Sequence, residues 1–207
     1  MAKTAARKVF CIGWPDTGLA SLAAALKILR YRLARPVGLG ETPDALDAFG
    51  REIALDEAAR ADACVGAPYF AFWTDLDAAF PGARFILTTR ETAGWHSSIS
   101  EAIDERSRNM AAYVLGAENA DPAACEAVWK EAFERHAADV RAHFEGRPDD
   151  LLVLSADEPF LWGEICDFLD RPVPSVAFPE RSEKKSRAGL VARARDRFDK
   201  IAERIGP

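Results

Sequence analysis

The chain has 207 residues, 49% of them hydrophobic and 29% charged, which suits one globular domain that needs no metal or disulfide to hold its core. Its 33 acidic residues outnumber 27 basic ones, for a formal net charge of -6, so bulk charge gives no drive toward nucleic acid or an anionic membrane and any phosphate recognition must be local. The four cysteines (Cys11, Cys64, Cys125 and Cys166) form no CxxC pair and no zinc-type spacing with histidine, so free thiols, no metal and a reducing cytoplasm are expected.

In chain order, Lys8 to Ile12 reads as a short buried strand. Gly13-Trp-Pro-Asp-Thr-Gly18 is a turn-rich loop, and Leu19 to Leu33 follows as a helix with Leu19, Leu22, Leu26, Leu29 and Leu33 on one face. Between 34 and 60 the pattern is less regular. Thr42 caps a helix from Pro43 to about Phe49, and a second covers Leu55 to Arg60. Ala63 to Gly66 is a second strand. Tyr69 to Phe80 is a helix stopped by Pro81-Gly82, and Arg84 to Thr89 is the clearest strand.

A helix from Thr92 to Ser107 follows, then a long one from Pro122 to Phe144 with Val128, Phe133, Val140 and Phe144 among its apolar positions. Leu151 to Leu154 is a strand and Glu158 to Leu169 a helix. The charged segment from Phe178 to Arg187 is a loop, and Val191, Ala194, Phe198, Ile201 and Ile205 mark one face of a final amphipathic helix. Strands alternating with helices predict an α/β fold, a parallel sheet flanked by helices, in one domain over 1–207. No leader-type apolar run follows Met1 to Lys8, and no window approaches membrane-spanning length.

Two constellations carry chemistry. A strand feeding a glycine-bounded loop into a helix aims backbone N–H groups at one point, where the helix dipole favours phosphate. Gly13 and Gly18 have the spacing of the GxxxxGK[ST] loop, with Leu19 where lysine would stand, and a plain tight turn is the competing reading. The second constellation delivers Arg90 at the C-terminal end of its strand, where open α/β sheets bind ligands, with Ser98 eight residues on. An arginine and a hydroxyl can share one phosphate there, with Trp95 anchoring the helix between them.

Three blocks in order, KVFCIGWPDTGLASLAAAL (8–26), APYFAFWTDLDAAFPGARFILTTRETAGWHSSI (67–99) and LLVLSADEPFLWGEICDFLDRPVPSVAFPERSE (151–183), resemble the sulfotransferases that use 3′-phosphoadenosine 5′-phosphosulfate (PAPS), in particular their small bacterial branch. The resemblance implies a P-loop-containing, sulfotransferase-like three-layer sandwich. It also implies PAPS as donor, 3′,5′-ADP as product and a small-molecule hydroxyl or amine as acceptor. No nucleic acid or membrane partner is expected from the acidic charge, and a homodimer is allowed. Pro15, Thr17, Gly18 and Ser21 fall on or beside the loop for the 5′-phosphosulfate, Arg90 and Ser98 on the 3′-phosphate pair, and Arg181 and Lys184 in a basic run, with Lys185 and Arg187, that covers that phosphate in many relatives.

Four positions depart from the family pattern. Asp16 stands at the basic position, Leu19 and Ala20 at the hydroxyl positions, and Gly66 where a histidine or carboxylate base is usual. His96 and Asp62 are the remaining candidate bases. Losing one donor to a transition-state charge costs about 10²–10³ in rate. An alternative expectation is therefore a family member that binds nucleotide, or serves as a scaffold, without catalysing transfer; a third is different chemistry with Asp16 as acid or base. Phe72 and Trp73 are expected to pack in the core rather than line an acceptor pocket.

Overall fold

The computed structural model describes residues 7–34, 42–103 and 105–181. Four parallel strands, β1 (Val9–Cys11), β2 (Ala63–Val65), β3 (Arg84–Thr89) and β4 (Leu151–Ser155), lie in the order β2-β1-β3-β4. Phe10 pairs with Cys64 on one side and Phe85 on the other, and Leu87 of β3 pairs with Val153 of β4. The fold expected from the alternating pattern is thus the fold found.

Because side chains alternate across a strand, each strand feeds two cores. Phe10, Ile12, Phe85 and Leu87 join one cluster, and Val9, Cys11 and Ile86 join the other. The second face is covered by α1 (Leu19–Ile28), through Leu19, Leu22 and Leu26, and by a late helix described below. The first face carries the larger, aromatic-rich core. Each fully buried large apolar side chain there stabilises the fold by about 1.5–3 kcal/mol.

Between β1 and β3 the chain runs through α2 (Pro43–Ala45), a π-helical turn at Leu46–Gly50 and α3 (Arg51–Arg60), a continuous helical stretch rather than two separated helices. Thr42 is its cap, with Oγ1 accepting from the Ala45 N–H at 3.3 Å. After β2, a 3₁₀ turn at Tyr69–Ala71 leads into α4 (Trp73–Ala79). Beyond β3 come α5 (Thr92–Ala102), α6 (Glu105–Leu115) and α7 (Glu126–His143); β4 is followed by α8 (Trp162–Leu169), whose Ile165, Cys166 and Leu169 join α1 in the second core.

Several boundaries differ from the sequence expectation. α1 ends at Ile28 because Arg30 turns left-handed (φ 68°) and sends Leu33 back to the sheet as a parallel bridge to Ala63. Ile103 is extended and ends α5, and α6, which the pattern did not announce, packs Met110 and Ala111 into the core. α7 begins at Glu126 because Asp121 holds 122–125 as a turn, accepting from the N–H groups of Ala123 and Cys125. Val128 is 37% exposed; Trp129, Ala132, Phe133 and Val140 form the buried stripe instead. α8 begins at Trp162 rather than Glu158. Lys184, Lys185 and Arg187, and the amphipathic tail from Val191, lie outside the described residues.

Cys11, Cys64 and Cys166 are buried free thiols, and burial pushes the Cys11 thiol up to about 12. Among the described residues, no helix is long and apolar enough to cross a membrane.

Candidate functional site at the strand ends

The loop from Gly13 to Gly18 is held from three sides. Gly13 sits against β3 so closely that a Cβ there would fall 1.8 Å from Thr88 Oγ1. Thr17, fully buried, donates its hydroxyl to the Trp14 carbonyl at 2.6 Å and lies 2.6 Å from Thr88 Oγ1. Trp95 of α5, also fully buried, donates Nε1–H to the Pro15 carbonyl at 2.9 Å and stacks on Phe133 of α7 at 4.0 Å. These contacts clamp the loop to β3 and α5. They also spend the Thr17 hydroxyl inside the protein, so any phosphate contact from that residue falls to its backbone.

Asp16 and Gly18 both adopt left-handed backbone (φ 67° and 86°). Glycine does so freely; a non-glycine residue there carries strain of about 1 kcal/mol or more, least for Asp and Asn. The turn aims Asp16 at the end of β3, where its Oδ2 lies 3.4 Å from Nη1 of Arg90. Arg90 Nε faces a second carboxylate, Asp157 Oδ1, at 3.8 Å. Arg90 is thus brought to the loop as its position at the strand end implied, and it stands between two acidic side chains.

Glu91 caps α5, its carboxylate accepting from the backbone N–H groups of Gly94 and Ala93, and these bonds lower its pKa. Its own N–H donates to Asp157 Oδ2 at 2.7 Å. The β3–α5 junction is therefore fastened to the segment after β4. Ser98, two turns along α5, is half-buried and its hydroxyl makes no hydrogen bond among the described residues.

The C-terminal segment crosses the first turn of α1. Arg181 donates its backbone N–H to Ser21 Oγ at 2.9 Å, and Phe160 packs so tightly on Gly18 that a Cβ there would meet its ring at 2.7 Å. Ser21 and Arg181, 160 residues apart in sequence, meet beside the loop.

The remaining candidates lie elsewhere. His96 is 8% exposed, its Nε2 2.9 Å from the Pro122 carbonyl and its Nδ1 3.9 Å from Glu126, so its ring turns to the start of α7. Asp62 precedes β2 at the sheet edge opposite the loop, accepting from the Arg32 N–H at 2.9 Å. Gly66 follows β2 with φ 69° and leaves no side chain to move a proton. Among the described residues, no group of three histidine, cysteine or acidic side chains could hold a metal ion.

Beside Trp14 of the loop lies an open cleft of about 320 Å³, lined also by Phe70, Trp73, Tyr113, Arg135 and His136. Trp73 lines this pocket and also packs against the core as expected, and Phe72 is buried. Burial keeps the Tyr113 phenol above its ordinary range, reinforced by Asp47, Asp75 and Glu52, so it stays protonated. The Trp14 Nε1–H is buried without an acceptor. It belongs to a ring set edge-on to Trp95, Trp129 and Phe133, an environment for weak N–H–π contact.

His136 is the functional candidate the sequence reading missed. Its Nε2 lies 2.8 Å from the Ile12 carbonyl at the end of β1, one residue before the loop. A carbonyl only accepts, so Nε2 carries the proton and Nδ1 the lone pair. Burial lowers the imidazole pKa from its ordinary 6.5, against the opposing effects of the Ile12 hydrogen bond and Asp139, so the ring is neutral at pH 7. The available signal was its place in the α7 stripe: Trp129, Ala132, Phe133, His136 and Val140 follow helical spacing, with a histidine inside an apolar face.

A sulfotransferase domain model matches the chain over residues 8–123 and 108–187, taking in the loop, the β3–α5 junction and β4. No curated protein matches the chain.

Proposed function

Because the chain belongs to the sulfotransferase family, we propose that it binds a 3′-phosphoadenosine nucleotide at the ends of β1 and β3 and transfers a sulfuryl group from PAPS to an acceptor. The observation that carries this reading is the clamped loop with Arg90 at its mouth, tied through Trp95 and Pro15. Backbone N–H groups at the start of α1 and the Arg90 guanidinium would hold the phosphates, with Ser98 and the Arg181 segment nearby. When bound, PAPS supplies an activated sulfuryl group on a phosphate leaving group. The Arg90 guanidinium offers an anion a cation, but Asp16 and Asp157, at 3.4 and 3.8 Å, compete for it. Asp16 fits less well, because it offers a carboxylate where transfer calls for a cation.

The 3.4 Å approach of Asp16 to Arg90 favours a second reading, a family member that retains nucleotide binding without transfer. A carboxylate about 4 Å from a phosphate charge opposes it by about 4 kcal/mol at an effective dielectric near 20. Calorimetric titration with 3′,5′-ADP and with PAPS, alongside Arg90→Ala, tests both. Micromolar binding of both, lost in the variant and followed by turnover in an acceptor screen, is the expected result. Binding of 3′,5′-ADP alone selects the second reading, and no binding of either overturns both.

A further inference from the structure

We propose that Asp157 is a positioning residue for the nucleotide: its carboxylate sets the Arg90 guanidinium and the start of α5 together, so that the cation and the helix bearing Ser98 meet an anion as one unit. The role rests on the nucleotide-binding reading above and adds to it a residue from the turn after β4.

The turn is fixed before it reaches the site. Ser155, the last residue of β4, pairs with Thr89 of β3, and the Ala156 N–H donates to the Thr89 carbonyl at 2.8 Å. The Ser155 hydroxyl then donates to Asp157 Oδ2 at 3.1 Å, while its oxygen accepts the Asp157 N–H at 3.3 Å. Short polar side chains that bond nearby backbone in this way hold a turn without help from the core. Asp157 is therefore anchored to the sheet ladder, beside the end of β3.

From there its two oxygens go to two consecutive residues. Oδ2 accepts the Glu91 N–H at 2.7 Å, and Oδ1 faces Arg90 Nε at 3.8 Å. The first is a short, charge-assisted bond to backbone and is the stronger contact. It fixes the peptide that joins Arg90 to α5. The Glu91 side chain caps the same helix through Ala93 and Gly94, and Trp95, one turn on, ties that helix to the loop. One carboxylate thus orients the arginine side chain and the backbone from which the Ser98 helix departs.

The same carboxylate competes for the charge of Arg90, so the two effects must be weighed. The ion pair is long and both its side chains are partly exposed, so solvent screens it and the competition is weak. It also meets Nε, whereas Asp16 approaches Nη1. A guanidinium held at Nε keeps its two Nη groups for a bidentate contact with phosphate once Asp16 gives way. Positioning therefore outweighs competition at Asp157, while competition is the main effect at Asp16. Removing the Asp157 side chain should weaken nucleotide binding rather than strengthen it.

The test compares wild type, Asp157→Ala and Asp157→Asn by calorimetry with 3′,5′-ADP, by thermal melts and by ¹⁵N NMR of the nucleotide-free proteins. Asparagine keeps an oxygen for the Glu91 N–H and drops the charge. The Glu91 amide signal is expected to move, and its hydrogen exchange to quicken, in Asp157→Ala, and both to stay near wild type in Asp157→Asn. Affinity for 3′,5′-ADP is expected to fall about tenfold in Asp157→Ala, the worth of one hydrogen bond, and to recover to within about threefold in Asp157→Asn. Tighter binding in both variants would make Asp157 only a competing charge and overturn the proposal. So would an unmoved Glu91 amide, or a lower melting temperature in Asp157→Ala with affinity unchanged, which is what a purely structural turn gives. If wild type itself fails to bind 3′,5′-ADP, the nucleotide reading falls and takes this role with it. A wild type that binds while Asp157→Ala matches it overturns this role alone.

Discussion

Asp16 Oδ2 lies 3.4 Å from Arg90 Nη1, so the loop that should welcome an anion has a carboxylate beside the cation that would bind it. Arg90 faces Asp157 as well, at 3.8 Å. An incoming phosphate must compete with both carboxylates. Asp16→Asn removes the nearer charge while keeping a short polar side chain that tolerates left-handed backbone. The expected outcome is about tenfold tighter binding of 3′,5′-ADP, the equivalent of about 1.4 kcal/mol, well below the unscreened repulsion because Arg90 is 32% exposed. Asp16→Lys should gain more for PAPS. Calorimetry at two salt concentrations checks this, since the gain should shrink as salt rises. An unchanged affinity would mean that the carboxylate does not oppose the nucleotide.

Thr17 separates a structural from a ligand-binding hydroxyl. In the structure the group is spent on Trp14 and Thr88, in a side chain with no exposure. Thr17→Val keeps the shape and leaves the Trp14 carbonyl and the Thr88 hydroxyl short of a partner, which costs about 1–3 kcal/mol. The expected result is a lower midpoint in denaturant melts, with nucleotide affinity of the folded protein unchanged. A large loss of affinity without a loss of stability would return the hydroxyl to the phosphate site.

Trp95 couples the loop to the helical layer, with one hydrogen bond to Pro15 and a face-on stack against Phe133. Trp95→Phe preserves most of the stack but removes the N–H and some volume from a fully buried site. A destabilisation of about 2–4 kcal/mol is expected from the cavity and the unpaired Pro15 carbonyl together. Nucleotide affinity should also fall, because the loop loses its tie to α5. Thermal melts and calorimetry on the same sample read both effects.

The sheet was legible because its strands are short apolar runs that end at turn formers. Arg84 to Thr89 was found to the residue, between Pro81-Gly82 and the start of α5. Boundaries set by tertiary contact were not. Nothing local in Leu29 to Leu33 says that the chain leaves the helix at Arg30 to bridge Ala63. Likewise the loop and Arg90 were legible from their place at strand ends, and Asp16 from its type. Asp157 and His136 were not, because the first reaches the site from the turn after β4 and the second from a helix more than 120 residues away in sequence. His96 drew attention by sequence proximity to Ser98, but the helical turn directs it to Pro122.

Two acid-sensitive groups should titrate in separate windows. Burial lowers the folded pKa of His136 below its ordinary 6.5, so the native state resists taking up a proton that the unfolded chain accepts. Stability therefore begins to fall as pH drops through about 6.5, until the folded imidazole itself protonates. Asp77 behaves differently. Burial alone would raise its pKa, but hydrogen bonds from Arg147, at 2.6 and 3.1 Å, and from His143, at 2.8 Å, outweigh burial and lower it below the ordinary 3.8. Its contribution is fully present above about 3.8 and is lost as pH falls through the folded value. With Arg147 41% exposed, solvent screening limits that contribution to about 1 kcal/mol. Urea melts from pH 7.5 to 3 should show the first loss in the wild type but not in His136→Gln. Asp77→Asn should lower stability at pH 7 and flatten only the most acidic end of the curve. Loss of the upper window in Asp77→Asn, or its persistence in His136→Gln, would show that another group titrates there.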